Sequence, residues 1–282
     1  MEKTNKIFTV DVEEYYHAEN VWTSLSEEQK SNSGSRIDIG TKKLLELLEQ
    51  EGHKATFFIL GCVAKENKSL IKRISEEGHE IASHGYFHKP LYRHTPETFE
   101  QDLERSKKTL SDITGQEIIG YRAPSFSLSK DTEWVFRILK KHGIIYDSSI
   151  ASSLFRSGFK YTEGTPACFE IGEGIQEFPI TCLKQGPFEI PMGGGYFRAF
   201  PYGVTKKGLN NKNKSKKDPT IFYIHPWEID KQQPRIKMSY MKRIRHYLNI
   251  NNAEEKIKRL LREERFISIE DFIKNVNKND SK

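Results

Sequence analysis

Cysteine is scarce in this chain. Cys62, Cys168 and Cys182 are the whole complement, odd in number and without CxxC spacing, which excludes a disulfide framework and a paired-cysteine zinc site. Each stands beside apolar residues, so buried thiols in a reducing compartment are expected. Long hydrophobic runs are also missing: nowhere do the roughly 18 consecutive apolar residues of a membrane helix occur. Met1–Ile7 is mostly polar and leads straight into an apolar run, unlike a signal peptide. A cytoplasmic protein is the expectation. Charge of one sign does not dominate, since 45 Lys+Arg against 39 Asp+Glu leave +6. The densest basic stretch, Lys206, Lys207, Lys212, Lys214, Lys216 and Lys217, has no interleaved aromatics, which argues against nucleic acid. Such a run suits a solvated loop, or at most a peripheral contact with anionic lipid headgroups or an acidic glycan. No internal repeat or low-complexity tract is present.

What is there reads as one large domain. A chain of 282 residues, 36% hydrophobic and 30% charged, can bury a single α/β core without dividing. Short apolar runs alternate with amphipathic stretches, the pattern of a parallel sheet wrapped by helices. Strands are expected at Ile7–Val12, Lys54–Leu60, His79–Ser83, Ile118–Arg122, Ile144–Asp147, Gly174–Leu183 (bent at Pro179), Ile221–Ile224 and Phe266–Asp271. Helices are expected at Gly40–Gln50, Asn67–Glu77, Thr95–Gly115, Lys130–His142 and Glu254–Arg265. Thr95 caps the third of these and Pro96 opens it. Gly193-Gly194-Gly195 marks an irregular loop, and Ala151–Thr165 is rich in Ser, Gly and aromatics. The core is expected over about 6–229, with a helical extension from about 230 to 282.

Four clusters fall at the ends of expected strands, and in an α/β barrel the carboxyl ends of the strands converge on one face. Asp11 and Glu13 are two apart on the first strand and point the same way. Such a carboxylate pair is costly without a neutralising cation. His84 and His88, four apart, can face one point if the chain between them turns helically. Two imidazoles and a carboxylate leave open positions on Zn²⁺, Co²⁺ or another divalent ion, as a catalytic site requires. If Glu13 ligates, Asp11 is free to act as general base, Arg122 can hold it ionised, and His225 can act as general acid. His17 is a further candidate ligand. The clusters read as a metal hydrolase.

The order TVDVEEY, SHGYFH, YRAPSFS and YIHPWEID resembles the polysaccharide deacetylases of the NodB-homology class. The resemblance implies a distorted (β/α) barrel, a divalent metal, and removal of acetyl groups from an amino sugar in a polysaccharide or lipid-linked precursor. It implies Asp11 as base, Arg122 as its tether, His84 and His88 as ligands, and His225 as acid. GGGYFRAFPY and HPWEIDKQQPR resemble the subgroup associated with bacterial exopolysaccharide loci. Many members carry adjacent aspartates in the first motif, whereas Val12 stands here, so that Glu13 takes the ligand's place. Ser125-Phe126 replaces an aromatic-Gly pair, and its backbone N–H groups are candidate oxyanion donors. Tyr196, Phe197 and Trp227 are candidates for stacking on sugar rings. Two alternatives stand beside the deacetylase: an amidase on a small nitrogenous molecule, and a glycan-binding module that has lost turnover.

Overall fold

The computed structural model describes residues 5–280 apart from 27, 30–32, 152–166, 187 and 211–217. Lys212, Lys214, Lys216, Lys217 and most of the Ala151–Thr165 stretch therefore lie outside the described residues. In chain order the strands are β1 (Lys6–Val12), β2 (Thr56–Ile59), β3 (Glu80–Ser83), β4 (Gly120–Tyr121), β5 (Tyr146–Asp147), β6 (Phe169–Ile171), β7 (Ile175–Glu177), β8 (Cys182–Gln185), β9 (Phe188–Pro191) and β10 (Thr220–Ile224). Eight of them form one curled sheet, half of a barrel, in the order β10-β1-β2-β3-β4-β5-β7-β6. Neighbours run parallel except β6 and β7. β8 and β9 make a separate hairpin.

Helices cover the sheet because each buries one apolar stripe. Ile37–Gln50 buries Leu44, Leu45, Leu47 and Leu48. Pro96–Thr114 starts as expected: Thr95 accepts from the Thr98 N–H, Pro96 takes the first position, and Gly115 ends the helix at φ 70°. The C-terminal helices belong to the same packing. Ile257, Leu260 and Leu261 from Ile250–Glu263 join the core that holds Phe8, Phe57 and Phe222. Among the described residues no helix is long and apolar enough to cross a membrane.

Several elements differ from expectation. Gly174–Leu183 is not one strand: β7 ends at Glu177, and a new partner is taken at Cys182, because Pro179 has no N–H to continue a ladder. Phe266–Asp271 is not a strand either. Ile267 makes a single bridge to Ile7, ahead of the point where β2 joins at Thr9, and a helix begins at Ile269. Gly194–Ala199 is helical rather than irregular. Lys130–His142 splits into a short 3-10 turn and a helix over Val135–Lys141. The three cysteines are half-buried, not buried.

One glycine is demanded by packing. A Cβ on Gly40 would stand 2.0 Å from the Pro226 carbonyl oxygen, so only glycine lets the helix Ile37–Gln50 press against the turn that follows β10.

At the amino ends of the strands sits a buried acid. Glu80 accepts from Tyr146 Oη at 2.6 Å, Thr56 Oγ1 at 2.6 Å and the Glu270 N–H at 2.9 Å, tying the last helix to the sheet floor. Burial outweighs these donors and pushes its carboxyl up to about 7. The folded protein therefore keeps a proton that the unfolded chain has lost, and stability falls as pH rises from 4.5 to about 7. The Glu80 contribution to that fall is about 3 kcal/mol. Denaturant unfolding across this window should show a shallower slope for Glu80→Gln than for wild type; parallel curves would contradict the assignment.

Candidate active site

Parallel strands deliver Asp11, His84, Arg122 and His225 to one end of the sheet. Asp11 is on β1, His84 follows β3, Arg122 follows β4 and His225 follows β10. Arg122 is fully buried. Its Nη1 donates to Asp11 Oδ1 at 2.6 Å and Thr9 Oγ1 at 3.0 Å. Its Nε and Nη2 reach the Ser148 carbonyl and hydroxyl at 3.0 and 2.8 Å, and the guanidinium lies 4.0 Å over the Phe58 ring.

The candidate metal centre is Glu13, His84 and His88, whose ligand atoms all lie within 4.8 Å of one another. Glu13 Oε2 is 2.5 Å from His88 Nε2 and 4.0 Å from His84 Nε2. His84 Nδ1 is 2.8 Å from the Arg122 carbonyl. A carbonyl only accepts, so Nδ1 carries the proton and the Nε2 lone pair faces Glu13, as a ligand must. Burial lowers His84 to about 4, which keeps the imidazole neutral. Burial alone would raise Glu13, but the imidazoles of His88, His225 and His84 hold its carboxyl far below the usual range. His88 sits at φ 54°, a left-handed conformation that costs a non-glycine residue energy and recurs at functional sites. The donor set fits a divalent ion of the zinc type.

His17 does not fit as a ligand. Its Nδ1 accepts the Glu14 N–H at 3.2 Å, so the neutral ring carries its proton on Nε2. Its ring stacks on His88 at 5.4 Å.

His225 Nε2 stands 3.5 Å from Glu13 Oε1 and 3.8 Å from Asp11 Oδ2. On its other side Nδ1 meets Glu228 Oε1 at 2.7 Å, and Glu228 Oε2 accepts from Arg198 Nε at 2.6 Å. Burial works against charge on this imidazole, yet the carboxylates of Glu13 and Glu228 outweigh it and push it up to about 9. Glu228 and Arg198 were not expected at the site. His225 and Glu228 are an i, i+3 pair visible in HPWEID; Arg198 carries no such signal.

The sugar-stacking candidates fare differently. Trp227 is half-buried and stacks with His225 at 5.1 Å and with His246 at 4.6 Å, and its Nε1–H points to Glu13 Oε1 at 3.4 Å. These contacts make it a buttress of the site. Phe197 is buried and meets Phe222 edge-on, an ordinary core contact. Tyr196 is half-buried against the same core. Ser125 and Phe126 are in the left-handed region at φ 57° and 48°. The Phe126 N–H is consumed by the Ala123 carbonyl at 3.1 Å, which leaves Ser125 as the oxyanion candidate of the pair.

Comparison with known proteins bears on the family and the fold. Residues 35–146 match the family model described as "Polysaccharide deacetylase", and residues 148–274 match "Domain of unknown function (DUF3473)". The peptidoglycan deacetylase of Helicobacter pylori is 32% identical over 118 residues, 42% of this chain and 39% of that protein. The peptidoglycan-N-acetylmuramic acid deacetylase PdaA of Bacillus subtilis is 31% identical over 103 residues, 36% of this chain and 38% of that protein. The matches thus span under two fifths of these curated relatives. Among solved structures, a Mycobacterium smegmatis protein provisionally named a polysaccharide deacetylase superposes with TM-score 0.64 at 19% identity, covering 98% of this chain and 90% of that one. A pseudoenzyme of carbohydrate esterase family 4 from Bacillus anthracis superposes with TM-score 0.52 at 15% identity, covering 96% and 66%. Residues 35–146 are a polysaccharide deacetylase domain of the NodB-homology class, joined to a segment that matches a domain of unknown function, on a distorted (β/α) barrel.

Proposed function

We propose that this chain hydrolyses the acetamido group of an N-acetylated amino sugar within a polysaccharide or its lipid-linked precursor. The observation that carries the reading is the convergence of a Glu13-His84-His88 donor set with an Arg122-held Asp11 on one side and a Glu228-held His225 on the other. A divalent ion held by the three donors, Zn²⁺ or Co²⁺, would supply Lewis acidity toward water and the carbonyl. Everything else comes from the chain. Arg122 occupies Asp11 Oδ1, so Asp11 Oδ2 is the atom that takes the proton from the attacking water. The Ser125 N–H offers a hydrogen bond to the developing oxyanion. His225 enters protonated and gives its Nε2 proton to the leaving amine, while Glu228 fixes the ring through Nδ1. Arg198, from the segment of unknown function, holds Glu228 in turn. In this reading residues 148–274 complete a site whose other members come from the end of β1 and from 35–146, and the chain is one catalytic unit.

Removal of metal by a chelator should stop acetate release from N-acetylglucosamine oligomers, and Zn²⁺ or Co²⁺ should restore it. Metal-free protein that binds glycan tightly without turnover would favour the binding-module reading instead.

His225→Ala should lower kcat by roughly 10²–10⁴. The acid form of His225 is needed, and the carboxylates around it hold it above the ordinary imidazole range, so activity present at neutral pH is lost on the alkaline side. Glu228→Gln removes one of the three carboxylates, beside Glu13 and Asp11, that keep the imidazole charged, and the alkaline limb of the rate profile should move to lower pH. An unmoved limb would show that another group sets it.

A further inference from the structure

Beside the Arg122 anchor lie two carboxyl groups that the proposed chemistry does not use. Asp147 ends β5 and Glu177 ends β7, and they are register partners on adjacent parallel strands. Both are buried, at 1% and 0% exposure. Asp147 Oδ1 accepts from Ser149 Oγ at 2.6 Å, and Glu177 Oε1 accepts from the Ile150 N–H at 3.0 Å. Asp147 Oδ2 and Glu177 Oε2 are buried with no hydrogen-bond partner, on residues that are register partners of adjacent strands. Two neighbouring buried carboxyl groups cannot both ionise cheaply, and one proton held between them would satisfy both orphan oxygens. Burial pushes both carboxyls above the usual range, Glu177 well above it, so the pair retains a proton in the folded protein.

From this pair, contacts lead directly to the site. Ser149 Oγ, which donates to Asp147, accepts the Ala123 N–H at 2.8 Å. Ser148 receives Arg122 through both its carbonyl and its hydroxyl, and that hydroxyl donates to the Phe178 carbonyl at 2.6 Å. The residues next to Asp147 thus hold Arg122 and the start of the Pro124–Phe126 turn, and the residue next to Glu177 braces them. The charged and titratable groups facing the pair are Arg122 and Tyr121 on the β4 side and Cys168 on the β6 side.

We propose that Asp147 and Glu177 share one proton and together act as positioning residues, setting Arg122 and the Ser125 turn for hydrolysis, and that loss of the shared proton releases that turn. Two adjacent buried anions repel, so the ends of β5 and β7 separate and Ser149 no longer anchors Ala123. The role in turnover rests on the deacetylase reading; the shared proton and its hold on the turn do not.

The test uses the full chain with its metal. Infrared spectroscopy of wild type at neutral pH should show the C=O stretch of a protonated buried carboxylic acid that survives Glu80→Gln and disappears in Glu177→Gln. Amide hydrogen exchange over residues 121–127, corrected for intrinsic rates, should be protected at neutral pH and lose protection as the pair ionises. Glu177→Gln, whose amide can still donate to Asp147 but cannot ionise, should keep protection at all these pH values. Asp147→Ala should lack protection throughout, with kcat lowered on the order of ten- to a hundred-fold and KM little changed. Absence of the infrared band, or identical exchange profiles in wild type and Glu177→Gln, would overturn the proposal. If Glu177→Gln does not fold, loss of the wild-type band in Asp147→Asn supports the shared proton, and its persistence overturns it. Wild type that shows band and protection but releases no acetate would sink the deacetylase reading and leave the pair standing.

Discussion

The buried guanidinium of Arg122 is the contact on which the site depends. A fully buried cation is tolerated only when it is paired and its N–H groups are satisfied, and here the partners come from separate strands. Asp11 and Thr9 on β1 take Nη1, and Ser148 after β5 takes Nε and Nη2. The Arg122 backbone carbonyl receives the His84 Nδ1–H, so the same residue that orients the candidate base also fixes the tautomer of a candidate ligand. Loss of any partner leaves charge stranded in the core. That coupling joins the sheet's register to the chemistry at its edge.

A second chain of contacts runs through the other half of the site. His225, Glu228 and Arg198 follow one another at 2.7 and 2.6 Å, while Trp227 stacks with the rings of both His225 and His246. All five residues lie in the segment that matches a domain of unknown function. Its strand β7 pairs with β5, Tyr146 opposite Gln176, so the division between the two matched segments is not a division in the sheet. Asp147, which falls between them, is itself part of the network around Arg122.

Much of this was legible in the order of residues, and the reasons are local. β1, β3 and β10 are short runs that end in polar clusters, so Asp11, Glu13, His84 and His225 could be placed at strand ends from pattern alone. The helix Pro96–Thr114 announces itself with Thr95 and Pro96. What could not be read depended on tertiary packing. Nothing in HPWEID foretells that His246 arrives from a distant helix to stack on Trp227. Arg198 belongs to a Gly-rich stretch that looked irregular, and its partner Glu228 is thirty residues away. The choice among Asp11, Glu13 and His17 turned on hydrogen bonds: Arg122 claims Asp11, the Glu14 amide claims His17 Nδ1, and Glu13 alone faces both His84 and His88.

That division of labour is tested most directly by calorimetric titration of Zn²⁺ into metal-stripped wild type, Asp11→Asn and Glu13→Gln. One equivalent should bind wild type, Asp11→Asn should bind within about ten-fold of it, and Glu13→Gln should bind about a hundred-fold or more weakly. Wild-type affinity in Glu13→Gln, or loss of binding in Asp11→Asn alone, would contradict the assignment of Glu13 as ligand and Asp11 as base.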